Sequence, residues 1–217
     1  MTRTITVKGI GKVTAKPDQV VISMTLEALD KDYEKAMNRA SDNLAQLSNL
    51  LCYIGFEKED LKTTNFNVDT DYESERDSKG NYRQIFRGYL VTHDLKLAFD
   101  FDVQMLAKAL TTVSKCISNP RLSIAFTVKD ETAIKEEMLR SAAANARRKA
   151  EILCAGSGVQ LGELLTINYN WGEINVYSRT QYDNTVQLCM RKAPKSMDIN
   201  PDDIEVSDTA TFVWEIR

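Results

Sequence analysis

QVVISMTLEALDKDYEKAMNRASDNLAQLSNLLCYIG, residues 19–55, contains the change of period that decides the fold. Up to Ala28 the apolar residues alternate. Val20, Ile22, Met24, Leu26 and Ala28 share one face, opposite Gln19, Ser23, Thr25 and Glu27, which is the pattern of a half-buried strand. Beyond Asp30 the step lengthens: Tyr33, Met37, Ala40, Leu44, Leu47, Leu51 and Ile54 recur by fours and threes. That spacing predicts a helix over 30–54, capped by the Asp30 carboxylate and stopped at Gly55. The stripe averages about 3.5 residues per step, so it suits docking on a sheet or an intermolecular coiled coil.

Upstream, residues 4–15 read as a strand with Ile5, Val7, Val13 and Ala15 on one face and Gly9 and Gly11 interrupting it. Pro17 and Asp18 make a turn, which predicts a hairpin with the strand that follows. Downstream come a β-rich segment over 64–72, a polar tract over 73–84 read as a solvated hairpin tip, and a long strand carrying Tyr89, Val91, His93, Leu95, Leu97 and Phe99 on one face. A helix over 103–116 ends before Asn119 and Pro120, and Leu122, Ile124, Phe126 and Val128 alternate in another strand. Strand, helix, strand, strand, helix, strand is the order of a split βαβ (βαββαβ) arrangement. The class is therefore α+β, with antiparallel sheet under long covering helices and additional N- and C-terminal strands.

The remainder adds an Ala-rich helix over 131–155 with the stripe Leu139, Ala143, Ala146, Ala150 and Leu153, stopped at Gly156-Ser157-Gly158. Strands over 164–169, 186–190 and 205–216 follow, with a loop containing Pro194 and Pro201. No solenoid-type repeat is present. The 217 residues make one domain, or two intertwined lobes divided as 16–128 and 1–15 with 129–217.

Composition narrows the function. Hydrophobic residues are 43% and charged residues 27%, an ordinary globular balance. A formal charge of −3 provides no basic excess for a polyphosphate backbone, so nucleic acid is not an expected partner. One histidine leaves few catalytic or metal arrangements. No apolar run has the length of a membrane span or signal peptide, and the expected setting is cytoplasmic. Cys52, Cys116, Cys154 and Cys189 are too far apart for a redox pair or a zinc half-site, and the first three read as small apolar packing residues.

Other motifs resolve to structure. Gly9 and Gly11 would open a dinucleotide loop only with a third glycine where Thr14 stands, and a Pro-Asp turn follows in place of a helix. Glycines two apart on one strand face instead leave room for something crossing above them. Gly156-Ser157-Gly158 lacks the Lys of a phosphate loop. Asp69, Asp71 and Glu73 lack the spacing of a calcium loop. His93 lies on the apolar parity, facing away from Asp94, and reads as a buried, hydrogen-bonded residue. Arg140, Arg147, Arg148 and Lys149, diluted by Glu136, Glu137 and Glu151, read as a solvent face. Ile10, Val21 and Leu90 are apolar residues on the outer parities, which suggests a surface for a second subunit.

Several segments together resemble the SIMPL domain family, which includes bacterial periplasmic immunogenic proteins and is a domain of unknown function. They are Val7-Lys8-Gly9-Ile10-Gly11-Lys12-Val13 with Pro17-Asp18, Thr64-Asn65-Phe66-Asn67-Val68 leading to Tyr72, and Gly88-Tyr89. Ala142, Ala146, Lys149-Ala150, Gly158-Val159-Gln160-Leu161-Gly162 and Ile204-Glu205-Val206-Ser207 complete the series. The resemblance implies a mixed α+β domain loosely tied to signalling or stress, with Gly9, Gly11, Pro17, Asp18, Gly158 and Gly162 as structural motif positions. It transfers no catalytic, cofactor-binding or metal-binding residue. Many relatives look exported, where this chain carries no leading apolar segment. The expected role is a non-catalytic, homo-oligomeric binding or scaffold protein without a cofactor. The alternatives are a small-molecule carrier, with Trp171, Tyr177 and Tyr182 in a lid over 171–201, or a hydrolase or transferase using carboxylates or a thiol such as Cys189.

Overall fold

The alternating run at residues 19–30 forms a strand and the lengthened period after it a helix, in a computed structural model that describes residues 3–76, 82–170, 174–184 and 199–217. In chain order the elements are β1 (Thr4–Ala15), β2 (Gln19–Asp30), α1 (Tyr33–Tyr53), β3 (Leu61–Arg76), β4 (Tyr82–Asp100), α2 (Val103–Val113), β5 (Arg121–Thr127), α3 (Glu131–Gly156), β6 (Leu161–Asn168), β7 (Tyr177–Asn184) and β8 (Ile204–Ile216). One antiparallel sheet has the order β1-β8-β6 and the other β3-β4-β2-β5-β7. The α+β class and the split βαβ order β2-α1-β3-β4-α2-β5 are as the sequence reads. The chain forms two compact units, residues 1–18 with 127–179 and 201–217, and residues 19–126 with 180–200.

In the second unit, β2 pairs antiparallel with β4 from Gln19↔Asp100 to Asp30↔Tyr89. Val20, Ile22, Met24, Leu26, Leu95 and Leu97 form its core with Leu47 and Leu51 of α1, Leu106 and Ala109 of α2, and Ile124 and Phe126 of β5. The cap of α1 is Asp32, whose side chain accepts from Lys35 N. Asp30, expected in that role, ends β2 and pairs with Arg39 at 3.1 Å. Because the strand runs two residues further, the helix starts later and Tyr33 is left half exposed.

In the first unit, β1 and β8 pair along their whole length, Thr4↔Glu215 to Ala15↔Ile204. The expected hairpin of β1 with β2 does not form, because the two strands enter different sheets. Alternation records which face a strand buries and is silent on its partner. The inward stripe of α3 is Met138, Ala142, Ala146, Ala150 and Cys154, in place of the stripe through Leu139 and Leu153, both of which are exposed. The tract 73–84 is strand at both ends, with residues 77–81 outside the described residues. The expected strand 186–190 also lies outside them, as do Trp171 and Cys189. Val21, expected to face outward, is buried.

Candidate functional site

Gly9 and Gly11 face α3. A Cβ on Gly9 would collide with Ala142 O, and one on Gly11 with Met138 O, so the helix backbone lies directly over the strand. The expectation of room for a crossing segment is met by α3 itself. The close approach also delivers three polar side chains of α3 to the outer edge of β1. Asn145 Oδ1 accepts from Ile10 N at 3.0 Å, Ser141 Oγ from Lys12 N at 3.4 Å, and Lys149 Nζ donates to Lys8 O at 3.0 Å. Steps of four place all three on one line of the helix, and they occupy hydrogen-bonding groups that an edge strand otherwise offers to another chain.

Asp18 N donates to Thr127 O at 3.0 Å, and its carboxylate accepts from Lys129 N at 2.8 Å, so the Pro17-Asp18 turn is tied to the end of β5 and the residues just after it. Gly158, at φ +69, takes the left-handed conformation just past α3. Gly162 lies against Glu215 of β8, where a Cβ would come within 3.0 Å of its carbonyl.

His93 is 7% exposed. Its Nε2 lies 2.8 Å from Thr63 Oγ1, and its ring meets Phe66 edge-on at 5.1 Å between centroids. Burial pulls the imidazole below its ordinary pKa, against the opposing effect of the Asp94 charge. The Asp94 carboxylate belongs to the other face of the sheet. It accepts from Thr25 Oγ1 at 2.6 Å and Asn65 Nδ2 at 3.0 Å. Those hydrogen bonds, the Thr25 bond foremost, hold its pKa below the ordinary carboxylate value. Thr63 and His93 thus have the contact of a hydroxyl and a base, while the neighbouring acid that would orient the ring is engaged elsewhere. Among the described residues no group of three or more His, Cys, Asp or Glu is disposed to hold a metal ion. Cys116 and Cys154 are buried and Cys52 is partly so, all as free thiols.

The arrangement most suited to recognition was missed by the sequence reading. β4 pairs with β2 only from Tyr89 onward, so β3 beyond Thr70 and β4 before Tyr89 continue as a two-stranded ribbon. At the departure point Gly88 has φ +151, and a Cβ there would collide with Asp30 O. Along the ribbon the rings make successive edge contacts: Tyr72–Phe86 at 5.6 Å, Phe86–Tyr89 at 5.4 Å and Tyr89–Tyr33 at 5.5 Å. Tyr72 is 51% and Phe86 38% exposed. Arg76 lies over the Tyr82 ring at 5.9 Å, and Arg87 pairs with Asp71 at 3.4 Å. Exposed aromatics interleaved with arginine are the composition of protein-binding hot spots.

A family model described as "SIMPL: Protein of unknown function (DUF541)" matches residues 5–214. An "Uncharacterized protein YggE" of Edwardsiella ictaluri is 23% identical over 166 residues, covering 76% of this chain and 67% of its own length. The "26 kDa periplasmic immunogenic protein" of Brucella melitensis is 25% identical over 167 residues, 76% of this chain and 65% of that one. Its namesake in Brucella abortus is 24% identical over 167 residues, with the same coverage. The chain therefore spans about two thirds of the length of these relatives. Among the described residues no helix is long and apolar enough to cross a membrane.

Proposed function

As the chain belongs to the SIMPL family of proteins of unknown function, its role has to be argued from its own surfaces, and we propose that it is a non-catalytic, homo-oligomeric binding module. The observation that carries this reading is the aromatic run Tyr72, Phe86 and Tyr89 along the β3–β4 ribbon and on to Tyr33 of α1, in which Tyr72, Phe86 and Tyr33 are exposed. Rings left 38–51% exposed forgo part of the roughly 1.5–3 kcal/mol that full burial of a large apolar side chain contributes, and a partner surface recovers that part. Oligomerisation presents several copies of the ribbon at once, and linked weak contacts then bind with greater avidity than one. The non-catalytic part draws support from the division of His93 and Asp94 between opposite sheet faces. The reading does not depend on compartment, and two of the relatives carry "periplasmic" in their names.

Native mass measurement of the full chain at micromolar concentration tests the assembly, with a discrete multiple of 24.5 kDa as the expected result. A strict monomer overturns it. Proximity labelling in the native cell tests the ribbon, with neighbours of the wild type expected to be lost from a Tyr72→Ala/Phe86→Ala variant that keeps its fold. An activity abolished by His93→Gln without loss of fold overturns the non-catalytic part.

A further inference from the structure

Among the described residues, nothing occupies the outer edge of β6, and that edge is not charged against pairing. The outer edge of β1 is taken up by Ser141, Asn145 and Lys149. The edge strand β3 carries Asp69, Asp71, Glu73 and Glu75 at alternate positions of its second half, an acidic ladder that opposes pairing with a copy of itself there. β6 ends the other sheet, and among its residues Leu161–Asn168 only Glu163 is charged. Leu164, Leu165 and Ile167 on it are 46–54% exposed.

We propose that β6 is the self-association seam, pairing antiparallel with β6 of a second copy about a two-fold axis. This rests on the homo-oligomeric reading above and names its interface. The register follows from a bulge. Leu164 is opposite Trp214 and Ile167 opposite Phe212 on β8, both on the face that packs under α3, so the irregularity between Leu164 and Thr166 brings two residues three apart onto the same side. A two-fold between Leu165 and Thr166 then sets Leu164 of each copy against Ile167 of the other, a favourable branched aliphatic cross-strand pair made twice. Glu163 falls opposite Asn168, whose amide donates to a carboxylate, and no like charges meet. The partner is thus a second copy of this chain.

Two measurements on the full chain test it. Leu164→Lys/Ile167→Lys alters exposed side chains and is expected to leave the far-UV spectrum unchanged while weakening the assembly at least about tenfold. Chains carrying Leu164→Cys, mixed with chains carrying Ile167→Cys and oxidised, are expected to yield a 164–167 disulfide between copies in the mixture only, identified by peptide mass. A wild-type oligomer that survives the lysines and yields no such disulfide overturns the seam while leaving the homo-oligomeric reading intact. A wild-type monomer overturns both. A foreign chain trapped at either cysteine in place of the second copy overturns the choice of occupant.

Discussion

A methyl group at Gly11 would occupy the space of the Met138 carbonyl, a main-chain group that moves only if α3 moves. Gly11→Ala is therefore expected to destabilise the protein by about 1–3 kcal/mol through overpacking, read as a lower urea midpoint. Gly156→Ala is the control: open space surrounds that position, so its midpoint should hold or rise slightly. Equal midpoints for the two variants would mean that the helix yields. His93 makes a prediction of opposite kind, in pH. Its folded pKa lies below the ordinary 6.5, so the folded state disfavours protonation. Stability linked to this residue is fully present above about pH 6.5 and is lost as pH falls toward the depressed value. Asp94, itself depressed below 3.8, contributes its own loss only at more acid pH. Melting temperature measured from pH 8 to 5 should be level and then fall, and His93→Gln should remove the fall. A wild-type curve that stays level to pH 5 refutes it. The glycines and the histidine were legible in the sequence because each is a departure from a local pattern: two gaps in a strand face, and a polar residue on an apolar one.

At the level of elements the register of α3 was not legible, for a physical reason. A stripe chosen by hydrophobicity turns Leu139 and Leu153 inward, whereas a strand face emptied by glycine admits only small side chains, so the helix presents Ala142, Ala146 and Ala150. These follow an i, i+4 ridge. The parallel line Ser141, Asn145 and Lys149 was equally visible as a polar row beside a small-residue row, but its target, an edge of β1, follows from a pairing that alternation does not encode. That row predicts a change in dynamics more than in stability, since water readily replaces exposed hydrogen bonds. In Ser141→Ala/Asn145→Ala the amides of Ile10 and Lys12 should exchange with deuterium markedly faster than in the wild type, with little change elsewhere in β1. Unchanged protection at both amides would show that α3 does not guard that edge. The aromatic ribbon is not legible in the sequence, because charge dominates the composition of the tract after Tyr72. The rings that matter there, Tyr72, Phe86 and Tyr89, come from two strands and meet only once the bulge at Asp71/Tyr72 sets their register.

For the whole molecule, the chain enters and leaves each unit more than once, and the larger segment of the second unit, residues 19–126, is carried as an insertion in the first. Residues 19–126 hold the full βαββαβ order and nearly all of the core from Val20 to Phe126, with Ile199 the partly buried contributor from outside. Composition and periodicity made this order readable, since each of its elements has a strong period and its partners are near in sequence. The first unit was harder to read, because β1 and β8 are its principal pair and stand almost the full chain length apart. Its ends at the excision point are already joined by hydrogen bonds, Asp18 N to Thr127 O at 3.0 Å and Lys129 N to the Asp18 carboxylate at 2.8 Å. A short glycine-serine linker can therefore replace residues 19–126 without stretching the backbone. Residues 19–126 expressed alone, and the remainder closed by such a linker, are each expected to show the far-UV spectrum of a mixed fold and one cooperative thermal transition. A broad, non-cooperative melt from either piece would mean that its own core is not sufficient, and that the apparent insertion folds only as part of the whole.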